Sequence, residues 1–251
     1  MNRKLLTIKY LILDFLAASL AWGLFFIYRK CFVNGAFNDY YMQFVWSDPK
    51  LYYGILIIPL LWISLYLVFG MYKGVYRKSR LREFFKILTA SALGVLILFF
   101  TLVIDDEVTA YQMYYQSILV LFVLHFIPTS IFRFILSSRI AKKIKNRIIG
   151  FETIIIGGGP KALTIYNQLS KAKKSEGHFI RGFLTLNGED IAIEEIPHLG
   201  DMSQLNKVVM EKGVEEVIVA IEDDHKDDIP ELLTILEGLN VVIKVLPNMY
   251  Q

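Results

Sequence analysis

Residues 153–162 read Thr153-Ile154-Ile155-Ile156-Gly157-Gly158-Gly159-Pro160-Lys161-Ala162, and the fold of the second half of the chain turns on them. A β-branched run stops at three glycines. Apolar residues then recur at Ala162, Ile165, Tyr166 and Leu169, the spacing of one helix face. Gly157, Gly159 and Ala162 match G-x-G-x-x-[G/A] placed between a strand and a helix. Glycines permit a tight turn and close approach of the backbone. Pro160 suits the first helical position, where its missing N–H costs nothing. The helix N-terminus would offer free N–H groups to a phosphate, with Lys161 adding a positive charge. Two readings follow: a nucleotide, nucleotide-sugar or phosphate site at Gly157, Gly158, Gly159, Lys161 and Ala162, or a structural turn without a ligand. A dinucleotide site also wants an acid at the end of the second strand. That region reads Phe183-Leu184-Thr185-Leu186-Asn187-Gly188, with no acid before Glu189. With one motif and no second mononucleotide half, nothing supports hydride chemistry.

Downstream of the turn, β-rich and helical segments alternate. Phe179–Leu186, Glu216–Ile221 and Val241–Leu246 read as strands, and Met202–Glu211 and Ile229–Leu239 as helices. Such alternation predicts a parallel sheet with covering helices, half of a doubly wound Rossmann fold. Val217-Ile218-Val219-Ala220 and Val241-Val242-Ile243 suit strands buried on both faces. The acidic run Glu222-Asp223-Asp224 and Asp227-Asp228 follows a strand at the edge where ligands bind such sheets. It reads as a solvated loop and N-cap rather than a Mg²⁺ site. His198 and His225 have no Ser or Cys placed to act as nucleophile, so a hydrolase is unsupported.

The upstream half is a different material. The 251-residue chain is 55% hydrophobic and only 20% charged. Residues 1–150 carry 18 Lys+Arg against 7 Asp+Glu, and residues 151–251 carry 9 against 17. Four apolar stretches reach the ~20 residues that a bilayer-crossing helix needs: Leu5–Ile27, Leu51–Phe69, Phe84–Ile104 and Gln116–Leu136. The first is too long for a signal-peptide core and has no cleavage site before a soluble domain. The division is therefore 1–150, an α-helical membrane domain of four transmembrane helices with a basic loop, and 151–251, an α/β half-Rossmann cytoplasmic domain. The lone cysteine, Cys31, excludes a disulfide framework and a Cys-based zinc site. His125, His178, His198 and His225 are too scattered in sequence for a metal cluster, and no nucleic-acid motif is present.

Orientation follows from the basic residues. Arg3, Lys4 and Lys9 start the first span. Lys73, Arg77, Lys78, Arg80, Arg82 and Lys86 fill the loop after the second span against one acid, Glu83. Arg139, Lys142, Lys143, Lys145 and Arg147 follow the fourth, whereas Asp105, Asp106 and Glu107 lie between the third and fourth. Both termini are expected in the cytoplasm. Tyr40, Tyr41, Trp46, Tyr111, Tyr114 and Tyr115 suit the outer interface. Lys73–Lys86 and Arg139–Arg147 read as topology determinants facing anionic lipid, or as a docking site for a phosphorylated lipid or for the acidic half of the chain. Tyr72–Leu88 reads as a short amphipathic surface helix. Within the spans, Asp14 lies ~13 Å deep and His125 ~16 Å deep at 1.5 Å per residue, which predicts an interhelical hydrogen bond between them. Arg133 is expected to snorkel to the interface, and Pro128 to kink the fourth span.

Taken together, Leu13-Asp14-Phe15, Gly70-Met71-Tyr72-Lys73-Gly74-Val75-Tyr76-Arg77, the glycine turn with its flanks, Pro197-His198-Leu199-Gly200, Glu215–Glu222 and Val242–Tyr250 resemble the N-terminal region of bacterial polyprenyl-phosphate sugar phosphotransferases. Those enzymes move a sugar phosphate from a nucleotide sugar to polyprenyl phosphate in exopolysaccharide or capsule synthesis. The resemblance implies a multi-pass protein of the bacterial cytoplasmic (inner) membrane, with 151–251 as a Rossmann-like, CoA-binding-like domain. The family's Asp-Glu pair and Mg²⁺ belong to a further C-terminal domain, and the sequence stops at Gln251 before any such motif. The expectation is an accessory portion with no catalytic residue and no metal in this chain. Its implied partners are the bilayer, polyprenyl phosphate, a separately encoded catalytic domain, other polysaccharide-assembly proteins or further copies of itself. The layout also resembles the front of membrane nucleotide-sugar dehydratases. A stand-alone nucleotide sensor or scaffold is the reading from a different class.

Overall fold

The computed structural model describes residues 3–30, 39–74, 79–103, 111–186, 189 and 191–245. It divides into two compact units, residues 1–141 and 142–251. The expectations for Val75, Tyr76, Arg77, Lys78, Asp105, Asp106 and Glu107 fall outside the described residues, as do those for Cys31, Asn187, Gly188 and 246–250.

The first unit is helical: α1 (Arg3–Tyr28), a short α2 (Asp39–Ser47), α3 (Pro49–Val68), α4 (Arg80–Leu98) and α5 (Tyr111–Lys145). A π-helical turn at Phe99–Val103 extends α4. Four of these helices are long and apolar enough to cross a membrane. Their polarity is distributed unlike that of a soluble bundle. Leu5, Ile8, Ile12, Leu16, Leu20 and Leu24 form an exposed stripe along α1, while Asp14, Ser91, His125, Thr129 and Arg133 are buried. Small residues let the helices close. A Cβ at Gly54 would lie 1.9 Å from the Trp22 ring, and one at Gly94 would lie 2.2 Å from Trp62.

Two expectations change here. Tyr72–Leu88 is not a separate surface helix. The chain turns at Gly70 and Gly74, both at positive φ, and Ser79 then caps α4, which runs unbroken from Arg80 to Leu98. Its Glu83 and Ile87 are buried, so this face packs inward instead of floating on a surface. Pro128 lies inside α5, and a second proline, Pro59, lies inside α3. The polar pairing also differs and is described with the site.

The second unit is an α/β layer built on β1 (Phe151–Ile156), α6 (Pro160–Lys171), β2 (His178–Thr185), β3 (His198–Asp201), α7 (Leu205–Lys212), β4 (Glu216–Val219), α8 (Ile229–Glu237) and β5 (Val242–Val245). All paired strands are parallel, in the order β3-β2-β1-β4-β5. The alternation of side chains splits the core in two. Ile154, Ile156, Leu184, Val217 and Val219 meet Leu205, Val208, Leu232 and Leu236 of α7 and α8 on one face. Ile155, Phe183, Ile218 and Ala220 meet Ala162, Ile165, Tyr166 and Leu169 of α6 on the other. β4 is buried along its whole length, as its continuous apolar run predicts. β5 is not: Val242 is 44% exposed because β5 is an edge strand, with solvent on one side. The short β3 carries no β-rich run, and sequence reasoning missed it.

Candidate functional site

Two places concentrate chemistry, one in each unit. In the helical unit a charged cluster is fully enclosed. Arg133 of α5 donates from Nε to Asp14 Oδ1 at 2.8 Å and from Nη2 to Oδ2 at 2.5 Å, a two-point contact with α1. Its Nη1 lies 3.5 Å from Glu83 Oε1 of α4. The Tyr72 hydroxyl donates to Asp14 Oδ2 at 2.8 Å. The guanidinium also stands 4.8 Å from the Tyr66 ring centroid and 5.4 Å from that of Tyr10. The expected Asp14–His125 bond is therefore absent, and Arg133 does not snorkel: its exposure is 0%. In an apolar bundle a carboxylate finds its strongest partner in a permanent cation, and the buried arginine outcompetes an imidazole. His125 is held elsewhere. Its Nε2 lies 2.7 Å from the Tyr66 hydroxyl, and its ring stacks on Trp62 with centroids 3.5 Å apart. Sequence reasoning noticed Asp14 but gave it the wrong partner. Part of the signal for the right one was present: Asp14 is the acid inside the apolar stretches, Arg133 is one of the three bases there with Lys9 and Lys86, and Glu83 is the single acid in a basic loop.

In the α/β unit the sheet order reverses direction between β1 and β4, so the crevice where such sheets take ligands opens at the ends of those two strands. The glycine turn lies there. Gly157 has φ +121°, and a Cβ on it would come within 2.2 Å of the Ala220 carbonyl oxygen, so only glycine fits between β1 and the end of β4. Gly159 caps α6, with Pro160 opening the helix, and Ala162 is buried beneath it. All five flagged residues thus come together at one turn. Several of the turn's donors are already engaged, however. The Lys161 N–H donates to Glu222 Oε1 at 2.7 Å, and the Gly159 N–H to Glu189 Oε1 at 3.3 Å. Lys161 Nζ pairs with Asp223 Oδ1 at 2.8 Å. The Gly157 N–H goes to the Leu184 carbonyl, and the three glycines are buried.

This is where the acidic run after β4 acts: it reaches across the switch point to the glycine turn. Glu189, which comes too late in sequence to hold a ribose, folds back on the turn and also accepts from the Leu186 N–H at 3.1 Å. The two histidines of this unit that raised the hydrolase question are held locally. His198 Nε2 lies 3.0 Å from the Thr185 hydroxyl, and His225 Nδ1 lies 3.1 Å from Asp228. Among the described residues no group of three His, Cys, Asp or Glu side chains could hold a metal ion.

At the opposite edge of the sheet a cleft of about 480 Å³ is lined by Arg147, Tyr166, His178 and Arg181, among others. Arg181 makes a two-point contact with Glu152, which holds the Glu152 carboxyl below its ordinary range. His178 lies 3.5 Å from the buried Glu216, which Lys244 also approaches at 2.6 Å. Burial pushes the His178 imidazole below its usual value.

Five parallel strands with a glycine turn at the switch point, joined to a helical unit, define a half-Rossmann protein with an apolar helical module. The chain belongs to the CoA-binding domain family, whose model matches residues 68–247. That match takes in α4 and α5 as well as every strand. No curated protein matches the sequence. The ligand that the family's description implies carries a diphosphate, and the turn as it stands does not fit one. A phosphate at the N-terminus of α6 would have to displace the carboxylates of Glu222 and Glu189 and stand beside Asp223.

Proposed function

We propose that residues 1–251 form the membrane anchor and accessory portion of a sugar phosphotransferase system, one that transfers a sugar phosphate from a nucleotide sugar to polyprenyl phosphate in exopolysaccharide or capsule synthesis. The observation that carries this reading is the succession of four long apolar helices and a parallel α/β unit in one chain. The family is found in sugar-transferase-related proteins, and the motif resemblance extends along both units. Exposed stripes such as Leu5 to Leu24, wrapped around a buried ion cluster, are stable in lipid and costly in water. The basic residues at the start of α1, between α3 and α4 and at the end of α5 support an orientation with both termini on the cytoplasmic side of a bacterial inner membrane.

On this reading the helical unit anchors the chain, and the glycine turn serves as a closed corner that stiffens β1, β4 and α6 instead of as a phosphate cradle. The residues described here bind and position; none is assigned a bond-making step. The test uses membranes carrying this chain. Alkaline carbonate should leave the chain in the membrane pellet. Labelled nucleotide sugar and polyprenyl phosphate should give no lipid-linked sugar above empty membranes, and co-supplied catalytic domain should give more product with the chain than without it. Release by carbonate defeats the anchor. Product from the chain alone defeats the accessory role.

A further inference from the structure

The cleft bordered by α6 and β2 has no role in the reading above. It measures about 480 Å³, the size of a small-molecule site, and Leu169, Phe179, Ile180 and Ile196 give it apolar walls. Arg147, His178 and Arg181 supply its charge-bearing groups. Two of these are balanced. Arg181 spends Nε and Nη2 on the Glu152 carboxylate, which leaves Nη1. The His178 side chain is 4% exposed, and burial keeps its imidazole neutral at pH 7. Arg147 is not balanced. Its Nη2 donates to the carbonyls of Ser170 at 2.5 Å and Ala172 at 3.2 Å, which carry no net charge. Among the described residues Arg147 forms no ion pair, and its Nε and Nη1 make no hydrogen bond.

The backbone of Arg147 adds a second observation. It lies just past α5 at φ +57°, and among the described residues it is the one non-glycine at positive φ. The Ile148 N–H donates to the Lys143 carbonyl and the Arg147 N–H to that of Ile144, a helix end that ordinarily stops on glycine. Arginine is strained in that place. Capping two carbonyls uses one of its nitrogens and leaves its charge uncompensated, so the cap does not account for a cation beside an apolar cleft. One net positive charge asks for one negative charge. We propose that the cleft binds a small organic monocarboxylate, its carboxylate taken by Arg147 and by Nη1 of Arg181, and its apolar body lying against Leu169, Phe179, Ile180 and Ile196. Both guanidiniums are already pinned, one by carbonyls and the other by Glu152, so little side-chain freedom is lost on binding. Every lining residue belongs to the α/β unit, so the proposal stands or falls independently of the membrane reading.

The experiment is amide-exchange mass spectrometry of the full chain in detergent. It is titrated with 2-naphthoate, with 2-naphthamide as the uncharged shape and 2-naphthyl phosphate as the dianion. 2-Naphthoate is expected to slow exchange saturably in α6 and β2, with half-saturation at ~1 mM or below for a molecule of that size. 2-Naphthamide should bind roughly tenfold or more weakly. Arg147→Gly removes the guanidinium and relieves the left-handed backbone, so the fold is kept while 2-naphthoate binding weakens by about tenfold or more. Arg181→Gln, at a side chain 53% exposed, should weaken it in the same direction. Lys212→Gln, which takes a cation from the end of α7 outside the cleft, should leave it unchanged. Equal binding of 2-naphthamide, indifference to Arg147→Gly, or no slowing in α6 and β2 overturns the proposal. Tighter binding of 2-naphthyl phosphate overturns the single-charge argument and the carboxylate with it.

Discussion

Arg133 joins three helices through one side chain, contacting Asp14 on α1 and Glu83 on α4 from its own place on α5. Removing one member of such a set leaves an uncompensated buried charge, which costs about 3–5 kcal/mol. Arg133→Leu is expected to lower the temperature of detergent-solubilised unfolding sharply, and Asp14→Leu combined with it to recover part of the loss. If the double variant is no better than Arg133→Leu, the pair is not coupled as drawn. Glu222 poses the opposite case. Its carboxylate stands where a ligand phosphate would accept from Lys161 N–H. Calorimetric titration of the full chain with CoA or nucleotides should show no binding at the turn. Glu222→Gln with Glu189→Gln removes both negative charges and should strengthen any phosphate binding there. Tight binding by the unmodified chain, lost in Gly159→Val, would show that the carboxylates swing aside and would favour a nucleotide sensor.

At the scale of elements, the helices meet where glycine faces tryptophan. Gly94 admits the Trp62 ring between α4 and α3, and the same ring stacks on His125 of α5. Gly94→Val must push Trp62 away, an overpacking that costs about 1–3 kcal/mol. It should also disturb the Tyr66–His125 contact one turn along α3. Thermal unfolding checks the cost, and a changed tryptophan emission checks the mechanism. An unaltered emission spectrum would mean that the strain is absorbed elsewhere. Much of this scale was legible beforehand. The four apolar stretches and the strand–helix alternation predict elements close to those observed, since both rest on local hydrophobic periodicity. β3 was not legible: it is held by its pairing to β2, with Phe183 opposite His198, rather than by composition. The surface helix expected at 72–88 failed because helical periodicity cannot say whether its apolar face meets lipid or other helices.

At the scale of the whole molecule, pH acts on the α/β unit through one buried histidine. In the α/β unit burial holds His178 below the ordinary histidine value of 6.5. The unfolded chain then binds a proton that the folded chain refuses. Stability from this group is full above that pH and is lost as the pH falls through it. Amide-exchange protection of β2, corrected for intrinsic rates, should fall below that pH in the full chain and fall less in His178→Gln. A loss of protection unaltered by the substitution would place the acid sensitivity elsewhere.

The sequence alone determined what depends on neighbours along the chain: four apolar helices, an acidic α/β half with a parallel sheet, and a glycine turn opening a helix. Periodicity, β-branching and glycine spacing act over a few residues, so they can be read without knowing the fold. Partnership could not be read in this way. Asp14 and Arg133 lie 119 residues apart, and Lys161 and Glu222 lie 61 apart. Each pair forms only because helix packing or the crossover from β1 to β4 brings its members together. Tertiary structure therefore decided that a buried arginine, not histidine, answers Asp14. It also decided that the glycine turn meets the chain's own carboxylates, because strength in a low-dielectric interior goes to whichever opposite charge the fold delivers.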